Sequence, residues 1–81
     1  MEVVAMNRKR RKPVFEGRHI ELRFENDEVC IYATRVGLER IVAFCNYLLD
    51  HPRRGAGHVH LEDYELLTKA SLKGTIVLFD A

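Results

Sequence analysis

Tryptophan is absent from this 81-residue chain, and cysteine, proline and methionine appear only twice each. No apolar run approaches the roughly 20 residues that a membrane-spanning helix needs. The charged N-terminus also lacks the apolar stretch of a signal peptide, so the sequence predicts a soluble, cytoplasmic chain with no membrane contact. No CxxC joins the two cysteines, Cys30 and Cys45. Each sits among apolar neighbours and reads as a buried, reduced thiol, although spacing cannot rule on a disulfide between them. GxSxG, P-loop and GxGxxG motifs are missing as well, which removes the sequence signatures of the commonest hydrolase and nucleotide sites.

What remains has the composition of a globular protein, 47% hydrophobic and 31% charged. A chain of this length makes one domain with a thin core and a small stability margin. The net charge of +1 is unevenly divided. Residues 1–18 carry six basic groups against two acidic ones, and the remainder carries seven against ten. The block Arg8-Lys9-Arg10-Arg11-Lys12 stops at Pro13. Five adjacent like charges repel one another, so residues 1–18 read as a disordered tail and residues 19–81 as the folded domain. The same block is the one nucleic-acid signal. Clustered cations would neutralise phosphates in a salt-sensitive, sequence-blind way, which makes a nucleic-acid-associated accessory protein the alternative reading.

Alternation of period two runs from His19 to Glu25 and again from Glu28 to Thr34, with Asn26-Asp27 as the turn between them. That pattern predicts a β-hairpin whose inner face holds Ile20, Leu22, Phe24, Val29, Ile31 and Ala33. The period then changes. Leu38, Ile41, Val42, Cys45, Leu48 and Leu49 recur at three- and four-residue spacing, and Phe44 and Tyr47 widen the stripe. This predicts an amphipathic helix that faces the core, capped by Thr34 and stopped before Pro52. A short strand over residues 58–62, a longer connection burying Leu66 and Leu67, and a final strand over residues 75–79 complete the order ββαββ. The expected fold is α+β: a four-stranded, mainly antiparallel sheet with one helix on one face.

His58 and His60 share a strand face, and pairs of that kind bind zinc or nickel when a third ligand is fixed. Asp63, Glu62 and His51 are within reach in sequence, but nothing fixes any of them, so no metal and no cofactor are predicted. Glu62, Asp63 and Glu65 form an acidic cluster that reads as a solvated edge or a contact surface for a basic partner. Cys45 lies on the apolar stripe with no base beside it. No catalytic residue is predicted, and the chain reads as a binding protein.

The segment Gly57-His58-Val59-His60-Leu61-Glu62-Asp63-Tyr64-Glu65-Leu66-Leu67-Thr68, with Ser71, the apolar Thr75-Ile76-Val77-Leu78 and the upstream Gly37-Leu38, resembles a family of small bacterial proteins. These are the predicted immunity proteins of polymorphic toxin systems, of the immunity protein 32 type. The resemblance spans residues 37–79. It implies stoichiometric binding and neutralisation of a toxin domain without enzymatic activity. A mildly acidic body suits a basic toxin, with Glu62, Asp63 and Glu65, beside His58 and His60, as the expected contact. Homodimerisation through edge strands remains open on the sequence.

Overall fold

A computed structural model describes residues 11–52 and 56–79. The order is β1 (Ile20–Glu25), β2 (Glu28–Ala33), α1 (Arg35–Asp50), β3 (Ala56–His60), a 3-10 turn (Leu61–Tyr64) and β4 (Thr75–Phe79). The α+β class and the ββαββ order are those the sequence predicts. The third strand begins two residues earlier than expected and ends at His60, so Glu62 belongs to the turn.

The hairpin turn takes positive φ at both Asn26 and Asp27. These residue types tolerate that geometry, and it matches strand twist. The register pairs Ile20 with Ala33, Leu22 with Ile31 and Phe24 with Val29. Thr34 caps α1, its hydroxyl accepting from the Gly37 N–H at 3.1 Å, and the helix ends at Asp50, with His51 as its C-cap just before Pro52.

The four strands do not form one ladder. They pair as two antiparallel hairpins, β1–β2 and β3–β4. The reason lies in the connection between the 3-10 turn and β4, which occupies the outer edge of β1. Leu66 C=O accepts from the N–H groups of His19 and Ile20, at 2.9 and 3.0 Å. Thr68 N–H donates to Ile20 C=O, and Leu72 N–H donates to Leu22 C=O. Ser71 Oγ accepts from Leu22 N–H at 2.8 Å. The backbone groups that would have joined β1 to another strand are taken by this loop.

Ile20, Leu22, Phe44, Leu48, Val59, Leu61 and Leu66 form the core, with Ala33, Ile41, Leu67, Ile76 and Leu78 packed against it. Leu66 and Leu67 are therefore buried and half-buried, as the sequence predicts. The helix, however, is rolled relative to the expected stripe. It buries Gly37, Phe44 and Leu48, while Leu38, Val42, Cys45 and Leu49 are exposed, Leu49 by 63%. A helix with apolar residues around more than half its circumference can dock on either flank, and Gly37, which lets α1 approach β1, decides which. The expectation of two buried thiols fails: Cys45 is exposed on the rolled helix and Cys30, on β2, is half-buried, and the two form no disulfide. Phe24, Val29 and Ile31 are also exposed rather than buried, because α1 covers only the Ile20–Ala33 end of the hairpin.

On the outer face of β1, Glu21 is only 3% exposed. Thr68 Oγ1 donates to it at 2.6 Å, and Arg23 Nε donates at 2.6 Å. Arg23 also donates to Glu25, at 2.9 Å, and to Arg11 C=O. Its guanidinium lies 4.3 Å from the centre of the Tyr32 ring. Burial pushes the Glu21 pKa upward. The hydrogen bonds from Thr68 and Arg23, with the Arg23 charge, outweigh burial and hold it below the ordinary carboxylate value. A carboxylate whose folded pKa lies below its unfolded value adds stability above the unfolded value, and that stability is lost as pH falls through the folded one. Unfolding free energy should therefore drop on acidification below about pH 4.3. Glu21→Gln should cost about 1–3 kcal/mol at neutral pH and should flatten this acid slope. Urea titrations across pH 3–7 would show both effects, and an unchanged slope in the variant would assign the acid sensitivity elsewhere.

Candidate functional site

Alternation places His58 and His60 on the outer face of β3, opposite the buried Val59. Their rings meet edge to face at 4.8 Å. His60 Nδ1 lies 3.0 Å from Thr75 Oγ1 and 3.6 Å from Glu62 Oε2. Among the described residues, no group of three His, Cys, Asp or Glu side chains is placed to hold a metal ion.

The three acidic residues do different work. Glu62 is half-buried and structural: its Oε1 accepts from Gly74 N–H at 3.3 Å, which ties the turn to the start of β4. Hydrogen bonds from backbone N–H groups, first its own and then that of Gly74, together with nearby His60 and Lys73, hold its pKa below the ordinary value. Asp63 and Glu65 are exposed, with Tyr64 exposed between them. Glu65 takes a left-handed conformation, φ 56°, and ends the 3-10 turn.

Beside this turn a groove of about 400 Å³ runs between one flank of α1 and β3. Arg40, Ala43, Phe44 and Tyr47 line it from the helix, His58 and Val59 from the strand, and Tyr64 from the turn. Its aromatic residues are held in place before any ligand arrives. The Tyr64 ring packs on Phe44 at 4.8 Å, and Tyr47 stacks on His51 at 4.5 Å. The Arg40 guanidinium sits 5.2 Å from the Phe44 ring centre. Rings fixed in this way lose little entropy on binding. The structure thus brings His58 together with Arg40, Tyr47 and Tyr64, whose part the sequence reading missed, while Asp63 and Glu65 flank Tyr64 in the turn without lining the groove. The spacing of Arg40, Phe44 and Tyr47, at i, i+4 and i+7, was the available signal for the helix members. Tyr64 had none, because its ring is positioned by tertiary packing.

The described end of the basic block, Arg11 and Lys12, lies apart from this face. Arg8, Lys9 and Arg10 fall outside the described residues. Arg11 and Lys12 are exposed and line a second cavity, of about 430 Å³, with Glu21, Arg23 and Glu25. The segment that follows turns at Glu16-Gly17, where Arg18 N–H donates to Phe15 C=O.

Among the described residues no helix is long and apolar enough to cross a membrane. No protein-family model matches the chain, and comparison with curated proteins and with solved structures returns no match. Fold and site define a small α+β domain with a preformed aromatic groove beside an acidic turn.

Proposed function

We propose that the chain is a non-enzymatic binding protein that acts by occupying a partner protein, in the manner of an immunity protein neutralising a toxin. One observation carries this reading: exposed Asp63, Tyr64 and Glu65 adjoin a groove whose Tyr47, Phe44 and Arg40 are already ordered. Tyrosine and arginine are the residues most enriched where protein interfaces concentrate their binding energy, and charges at the margin steer encounter. The resemblance over residues 37–79 supplies the partner class, and the two exposed carboxylates favour a partner with a basic surface.

Glu62 is excluded from the contact set because it holds Gly74. The test is co-expression with any toxic protein encoded by a neighbouring gene, scored by growth. Wild type should rescue. Asp63→Lys combined with Glu65→Lys should raise the dissociation constant about 30-fold or more, as expected when desolvated charge pairs worth about 2 kcal/mol are broken, and should leave the circular dichroism spectrum unchanged. Rescue that survives the double reversal would move the interface away from this turn.

A further inference from the structure

The opposite flank of α1 is built differently. Leu38, Val42, Cys45 and Leu49 are all exposed and follow one another at steps of four, three and four residues. That is the seam spacing of helices that pack side by side. The seam borders β4, and Cys45, Leu48 and Leu49 share an apolar groove of about 190 Å³ with Ile76, Val77 and Leu78. Among the described residues, the outer edge of β4 has no backbone partner. Natural edge strands are usually protected by lysine, proline or a bulge. β4 reads Thr-Ile-Val-Leu-Phe and has no charge or proline. Helix and strand are thus open on the same side.

We propose that this side is the interface of a symmetric dimer, covered by a second copy of the same chain. The two α1 helices run antiparallel, so that Leu38 of each copy meets Leu49 of the other and Val42 meets Cys45. The β4 edges pair antiparallel and join two hairpins into one four-stranded sheet.

Three features favour a second copy over an unrelated strand. The seam is self-complementary under a two-fold axis, with leucine against leucine outside and a small layer inside, as an isologous interface requires. Antiparallel helices bring Arg35 of one copy to within a turn of Asp50 of the other, twice by symmetry, and oppose their dipoles favourably. The size also suits. Sixteen residues of helix span about 24 Å, and two layers of roughly 10 Å each give a contact plane on the order of 500 Å² per copy. Side-chain relief enlarges that plane toward the ~800 Å² per partner of a standard interface. The aromatic groove and acidic turn lie on the other flank of α1, so the dimer leaves both free and the proposal does not depend on the function proposed above.

Sedimentation of the full chain at tens of micromolar should give twice the 9.4 kDa chain mass. Val42→Glu with Leu49→Glu should raise the dimer dissociation constant at least ~100-fold while the helical spectrum persists. Should that variant fail to fold, cross-linking decides instead. In a Cys30→Ser background, Val42→Cys should form a covalent dimer on oxidation, and adding Cys45→Ser should abolish it. A monomeric wild type, a dimer that survives the double glutamate, or the absence of the Val42→Cys cross-link would overturn the proposal. So would loss of the dimer on removing residues 1–10, which would assign the contact to that segment.

Discussion

Replacing Gly37 with valine should destabilise the domain by about 3 kcal/mol or more, a large share of the total for a chain this small. Gly37 sits in the first turn of α1, directly over β1. A Cβ there would lie inside contact distance of the His19 carbonyl oxygen and against the Ile20 side chain. The carbonyl is backbone and cannot swing aside. It is also already the acceptor for Thr34 N–H at 3.0 Å, so moving it disrupts the helix cap. Alanine is the sharper test. In an open helix, glycine to alanine gains about 1 kcal/mol. Here Gly37→Ala should still lose stability, because displacing α1 from β1 costs more than the propensity returns. Urea midpoints followed by circular dichroism would measure this. An alanine variant as stable as wild type would mean that α1 is not seated on His19.

Leu48→Ala should cost about 2–5 kcal/mol, enough to leave a marginal domain largely unfolded. Leu48 is 4% exposed and packs within the cluster that joins α1 to Ile20, Val59 and Leu61, so its truncation opens a cavity that the thin core cannot refill. Its neighbour Leu49 is a control of nearly the same chemistry. Leu49→Ala should change the intrinsic stability of one chain by only about 0.5 kcal/mol, and its larger effect should appear only at concentrations where two copies associate. Thermal melts of both variants at two protein concentrations separate these cases. Equal, concentration-independent losses would contradict the placement of the helix.

The comparison of Leu48 with Leu49 also shows how far the sequence could be read. Strand and helix positions were legible because the hydrophobic period changes from two to 3.6 at Thr34, a local property. The cap at Thr34 and the stop before Pro52 were legible for the same reason. The face on which α1 docks was not. Leu38, Ile41, Val42, Cys45, Leu48 and Leu49 form a wider apolar arc than one core needs, and the choice between its halves rests on Gly37 meeting His19, a contact between residues far apart in chemistry and pattern. The division into two hairpins was equally hidden. It follows from Leu66, Thr68, Ser71 and Leu72 bonding to β1, mostly through their backbone, and loop backbone groups carry no periodicity that announces a partner.

At the candidate site, the acidic turn was legible as charge, but the separate role of Glu62 was not. Its hydrogen bond to Gly74 depends on how β3 and β4 pair. His58 and His60 were correctly placed on a solvent face. Tyr64 entered the groove only through its contact with Phe44, across the gap between turn and helix.

The central claim is that the chain acts by occupancy, and it is tested most directly by titrating, with purified protein, whichever purified toxin the chain neutralises in the growth assay. The account predicts that toxin activity falls linearly and reaches its floor at one chain per toxin, with a stable complex recovered at that ratio. Inhibition completed well below one chain per toxin, and growing with time of incubation, would mean turnover and would contradict it.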